Sequence, residues 1–145
     1  MQPVGVNDAH QLLFTVLQAA QCVQDRLEAA LVPTGLSLAK LGALRHLAEA
    51  NEPLALGQLA ERIACVKSNV TQLVDRLEAD GMVRRVPDPD DRRSVRALIT
   101  DLGRQRHLAG MEALAIAEEN AVGELSDSEQ NALADLLLRL AGQPA

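Results

Sequence analysis

Residues 59–100 read LAERIACVKSNVTQLVDRLEADGMVRRVPDPDDRRSVRALIT. Leu59, Ala60 and Ile63 share one face of a short helix predicted over roughly 57–64. Residues 65–67 leave room for only a tight connection. From Ser68 to Asp80, Val70, Leu73, Val74 and Leu77 recur at helical spacing, and Gly81 stops that helix as glycine does at a C-terminus. Two β-prone runs follow, Met82–Val86 and Ser94–Ile99, around the tip Asp88-Pro89-Asp90-Asp91-Arg92-Arg93. Two short helices joined by a tight turn and followed by a hairpin make a winged helix-turn-helix. A chain reversal needs only about two residues. This tip is longer and densely ionic, which predicts a task for it beyond turning the chain.

Working outward, Leu13, Val16, Leu17, Ala20, Val23, Leu27, Ala30 and Leu31 carry helical periodicity across residues 8–31, ended by Pro33 and Gly35. Ser37 caps a second helix with Leu38, Leu41, Leu44 and Leu47 inward, stopping near Asn51 and Pro53. Beyond the hairpin, Thr100 caps a helix bearing Leu102, Leu108, Met111, Leu114 and Val122. Ser126-Asp127-Ser128-Glu129 is a capping box that opens a last helix with Leu133, Leu136, Leu137 and Leu140. The predicted fold is mainly α with a small β-hairpin wing. The outer helices carry more apolar surface than one small head can cover, which predicts a second copy as partner. Residues 8–34 are then an N-terminal dimerisation helix, 35–100 a winged helix-turn-helix domain, and 101–142 the C-terminal dimerisation helices.

The chain has 145 residues, of which 48% are hydrophobic but only 1% aromatic, so its core must be aliphatic. The net charge of −6 argues against nucleic acid when taken alone. The distribution argues otherwise: Gly57 to Thr100 hold eight Lys/Arg against seven Asp/Glu, and the rest holds six against thirteen. The two cysteines, Cys22 and Cys65, make no CxxC pair, so no disulfide framework is expected. With no signal sequence and no apolar run near the ~20 residues a membrane span needs, the expectation is a cytoplasmic protein without a membrane partner.

The stretch 59–100 resembles the MarR family of transcriptional regulators, in the LAER of the third helix, VTQLVDRLEADGMV of the fourth and its exit, and DDRRSVRALIT of the wing. The family's Asp-x-Arg…Leu-Thr wing signature falls on Asp91, Arg93, Ile99 and Thr100, with Ile for Leu. GLSLAK at 35–40 resembles the opening of the family's second helix, and the outer helices sit where the family has its dimer interface. The chain departs from the pattern at Val66, often Ser, and at Gln72, often Arg. The resemblance implies a homodimeric, sequence-specific regulator of double-stranded DNA, a repressor released by a ligand, reading a pseudo-palindromic operator.

The residues themselves suit that role. With Val70, Leu73, Val74 and Leu77 inward, recognition helix 68–80 shows Lys67, Ser68, Asn69, Thr71 and Gln72 on its other side. Asn and Gln make bidentate pairs with adenine in the major groove, and Ser and Thr suit a phosphate or a thymine methyl. Wing 87–94 would lie over the neighbouring minor groove, whose negative potential attracts Arg92 and Arg93. Asp90 and Asp91 look wrong facing phosphate, so one of them is expected to hold an arginine or cap the turn. Arg62, Arg84 and Arg96 are phosphate candidates, as is Arg85. Arg76 suits a phosphate or an internal ion pair equally.

The resemblance also implies a small aromatic or anionic effector in a crevice lined by the first, second and fifth helices, with Phe14, Arg45 and His46 the candidate residues. The plain alternative is a core Phe with a surface Arg and His. Some relatives sense peroxide through an N-terminal cysteine, using tyrosines that this chain lacks. Cys22 and Cys65 therefore read first as buried small hydrophobes, and thiol-based redox sensing stands as an alternative. His10, His46 and His107 show no metal-ligand spacing, no catalytic or phosphate-loop motif is present, and neither enzyme activity nor a cofactor is expected. The competing functional class is a winged-helix protein-interaction module without DNA binding.

Overall fold

The computed structural model describes residues 8–63 and 67–143, with Lys67 and Ser68 described in their backbone alone. The helices are α1 (Ala9–Leu31), α2 (Leu38–Ala50), α3 (Leu56–Arg62), α4 (Lys67–Ala79), α5 (Asp101–Val122) and α6 (Asp127–Leu140). The strands are β1 (Leu54–Ala55), β2 (Val83–Pro87) and β3 (Val95–Ile99). A 3-10 turn, Val32–Thr34, follows α1 and ends on Gly35 at φ 73°. The mainly helical architecture with a hairpin wing is the predicted one. The two-residue β1 is an addition: it makes a three-stranded antiparallel sheet of order β1-β3-β2, pairing Leu54 with Ala97.

The chain forms two compact units, one of residues Glu28–Leu114 and the other of the residues up to Leu27 together with those from Ala115 onward. The core of the first is entirely aliphatic. Leu31, Leu44, Leu47, Leu54, Leu59, Val70, Val74, Leu77 and Val83 are its largest fully buried side chains. On α4 the buried residues Val70, Val74 and Leu77 fall at positions i, i+4 and i+7, which is one helix face. Along the hairpin, Val83, Ala97 and Ile99 point inward while Arg84 points out, the period-2 alternation of a half-buried sheet.

Local chemistry sets the element ends. The Ser37 hydroxyl accepts from the Lys40 amide at 3.1 Å, and the Glu28 carboxylate accepts from the Leu38 amide at 3.1 Å, so two free donors at the start of α2 are satisfied. Gly81, at φ 76°, ends α4 with a Schellman pair: its amide donates to Glu78 O at 3.0 Å and the Met82 amide to Leu77 O at 2.9 Å. Thr100 then ties three elements together. Its hydroxyl donates to Gly81 O at 2.6 Å and accepts from the Gly103 amide at 3.0 Å, and its own amide donates to Met82 O at 3.0 Å.

Two glycines of α5 carry the packing of that helix on the head. A Cβ on Gly103 would stand 2.1 Å from Met82 O, and one on Gly110 would stand 2.8 Å from Leu36 Cδ1. By contrast Leu102, Leu108, Met111 and Val122 of α5 are exposed. In the second unit Leu12, Leu13, Leu17, Ile116, Leu133, Leu136, Leu137 and Leu140 are all exposed as well. The Ser126 capping box forms as predicted, with Glu129 N to Ser126 Oγ at 3.2 Å and Ser126 N to Glu129 Oε1 at 3.0 Å.

Candidate nucleic-acid interface

Burial of Val70, Val74 and Leu77 turns the other side of α4 to solvent, where Asn69, Thr71, Gln72 and Arg76 are exposed. The side chains of Lys67 and Ser68, like Cys65 and Val66, lie outside the described residues. Asn69 and Gln72 thus present donor and acceptor groups on one exposed surface, the requirement for reading base edges. Arg62, at the end of α3, and Arg84 on β2 are exposed too. Among the described residues, Arg62, Arg76 and Arg84 have no ion-pair partner.

Arg85 behaves differently from its neighbour. Successive strand residues face opposite sides, so Arg85 turns toward α4 where Arg84 turns away. Its guanidinium bonds Asp75, Glu78 at 2.9 Å and the Thr71 carbonyl at 3.4 Å, and its backbone amide donates to Glu78 Oε2 at 2.9 Å. That amide, and then the guanidinium, lower the pKa of the Glu78 carboxyl. Partial burial opposes the charge on Arg85, but the bonds from Asp75 and Glu78 outweigh it and raise its pKa. Arg85 is committed to α4 and is not free for phosphate.

The wing tip answers the question its charge raised. The Asp88 carboxylate accepts from the Asp90 amide at 2.9 Å and pairs with Arg96 at 3.3 Å. The Asp91 carboxylate accepts from the Arg93 amide at 2.9 Å, and Asp90 stands 3.9 Å from Arg96. The Asp90 amide does most to lower the Asp88 pKa; burial opposes it, and the Arg96 guanidinium adds to the lowering. Asp91 thus caps the turn, as expected of one of Asp90 and Asp91, while an arginine is held chiefly by Asp88. That arginine is Arg96, which sequence alone placed among the phosphate candidates. Arg92 and Arg93 stay exposed, without an ion-pair partner among the described residues.

The sequence model of the MarR family matches residues 34–94. A probable transcriptional regulator from Pseudomonas aeruginosa is 31% identical with a TM-score of 0.77, the match covering 90% of this chain and 96% of that one. The chain belongs to the MarR family of transcriptional regulators. An uncharacterized HTH-type transcriptional regulator of Bacillus subtilis (strain 168), YkoM, is 40% identical over 92 residues, 62% of this chain and 58% of that one. The chain spans little more than half the length of the first curated relatives it matches. A MarR variant from E. coli, solved in complex with operator DNA, shares the fold at a TM-score of 0.77 and 21% identity, over 90% of this chain and 93% of that one.

In this MarR-family chain the candidate effector residues fall in two places. Arg45 and His46 line an open groove of about 440 Å³ between α2, α3 and α4, with Leu38, Arg62, Ile63 and Leu73. They open toward α3 and α4 because the opposite side of α2 is spent on the buried Leu41, Leu44 and Leu47. Arg45 also approaches Glu49 at 3.6 Å. Phe14 belongs to the other unit, where its ring stacks on His10 at 6.5 Å; at 54% exposure it is no core residue of the chain. Cys22 is likewise exposed and not the buried hydrophobe expected. His107 on α5 has a buried Nε2 without a hydrogen-bond partner among the described residues, and burial, opposed by the charge of Glu49, lowers its pKa. Among the described residues no single helix is long and apolar enough to cross a membrane.

Proposed function

We propose that the chain is a sequence-specific regulator of double-stranded DNA that works as a homodimer. The recognition helix supplies Asn69, Thr71 and Gln72, with Lys67 and Ser68 before them, to the major groove. Arg92 and Arg93 of the wing enter the adjacent minor groove, and Arg62, Arg76 and Arg84 meet phosphates. The observation that carries this reading is the selective release of charge. In the head, Arg85 and Arg96 are consumed by acidic partners, while the arginines flanking the exposed helix and capping the wing have none among the described residues. Charge left unpaired beside a polar helix is what a polyanion with readable edges needs.

The exposed leucines of α1 and α6 support the dimer: Leu133, Leu136, Leu137 and Leu140 recur at helical spacing, and such an uncovered apolar face is what a second copy would bury. Two heads on a two-fold axis would read half-sites about 34–36 Å apart. The groove bearing Arg45 and His46 supports a small anionic effector that releases the protein from its operator. A test is selection of duplexes from a random pool, followed by anisotropy titration at two salt concentrations. A pseudo-palindromic consensus bound with steep salt dependence is expected. Failure to enrich any duplex would instead favour a winged-helix module for protein partners.

A further inference from the structure

We propose that Arg85 is a positioning residue that locks the recognition helix to the wing, and that Asp75 and Glu78 thereby favour DNA binding despite their negative charge. The inference rests on the DNA-binding reading above.

The geometry is that of a clamp. Thr71, Asp75 and Glu78 fall at i, i+4 and i+7, on one stripe of α4 that spans two turns, about 10 Å of helix. Arg85 engages all three, and its backbone amide adds a fourth bond to Glu78. A grip at one point would let β2 pivot about α4. A grip spread over two turns fixes the angle between them. The chain link at Gly81 and Met82 is fixed by the Schellman pair and Thr100, and the Arg85 bonds extend that hold to the part of β2 beyond it. A helix in one groove and a hairpin tip in the next must be held at a set spacing, or each binding event has to order them afresh. The planar fork of arginine suits this task where the point charge of lysine does not.

The charges argue the same way. Two carboxylates on a phosphate-facing helix would repel DNA, and nothing in the core needs them. Their side chains are 59% and 40% exposed against 24% for Arg85, so the pairs add little to stability. Their use is to hold Arg85. The Arg96 latch on Asp88 stiffens the far end of the same hairpin, so the wing is braced at base and tip.

The test measures affinity for a duplex selected by the wild-type protein, across a range of KCl concentrations, with urea midpoints confirming that every variant folds. Asp75→Asn with Glu78→Gln raises the charge of each head by two, yet binding is expected to weaken about tenfold. Arg85→Gln should weaken it similarly, leaving the slope of log affinity against log salt unchanged. Combining all three changes should cost no more than Arg85→Gln alone, and Arg85→Lys should recover only part of the loss. Tighter or unchanged binding by the acid-neutralised variant would overturn the proposal. So would a fall in slope of about 0.9 per head for Arg85→Gln, the mark of a lost phosphate contact. A wild-type chain that binds no duplex would sink the DNA-binding reading itself; wild-type binding with undiminished binding by the acid-neutralised variant would sink the clamp alone.

Discussion

Replacing both Arg92 and Arg93 by alanine offers a quantitative check on the interface, because the structure says which cations are available. Arg62, Arg76, Arg84, Arg92 and Arg93 have no acidic partner among the described residues, whereas Arg85 and Arg96 do. Each cation that neutralises a phosphate charge contributes about 0.9 to the salt slope. A dimer using all of these arginines would show a slope near −9, and the double wing variant, which loses four cations per dimer, would lose about 3.6 of it. Between 50 and 200 mM salt, the gap between wild type and variant should then narrow about a hundredfold. The assay is anisotropy titration of a labelled duplex at four or more salt concentrations. Parallel salt lines for the two proteins would refute the reasoning, even with a lower affinity, since they would mean that the wing contributes shape and not charge.

Gly103→Ala should destabilise the chain by at least about 2 kcal/mol, because its Cβ meets a backbone carbonyl. Gly42→Ala, in open space on α2, should stabilise it by about 0.5–1 kcal/mol; urea denaturation measures both. The lowered pKa of His107 means that the unfolded chain takes up its proton first as pH falls. Stability should therefore decline as pH drops below the unfolded value of 6.5, and His107→Gln should flatten that decline in urea titrations run at several pH values. Leu133→Glu with Leu137→Glu should shift the sedimentation coefficient to that of a monomer and weaken operator binding, whereas an unchanged coefficient would remove the α6 leucines from the interface.

Features written in a few adjacent residues were legible without coordinates. Ser37 and Ser126 set helix starts by accepting from amides three residues on, and Gly81 ends α4 with its amide donating to the carbonyl three residues back. The inward faces of α2 and α4 were legible for the same reason, since periodicity is local. What escaped depends on distant partners. β1 is two residues long and exists because β3 lies beside it. Gly103 and Gly110 carry no signal in the sequence around them, and only the approach of Met82 and Leu36 shows that they are contact points. Arg84 and Arg85 are adjacent and chemically identical. Strand alternation says that they part ways, but not which one finds Asp75 and Glu78. Asp88 and Arg96 were visible as charges, and their pairing became visible only once the hairpin register placed them together.

In the proposed complex, α4 and the wing tip enter neighbouring grooves of one duplex. Dimethyl sulfate footprinting on a selected operator tests it directly, because the reagent modifies guanine N7 in the major groove and adenine N3 in the minor groove. The expected pattern is protected guanines in each half-site, flanked by protected adenines that regain reactivity with Arg92→Ala plus Arg93→Ala, repeating about one helical turn away. Protection confined to one groove, or adenine protection indifferent to the loss of both arginines, would contradict it.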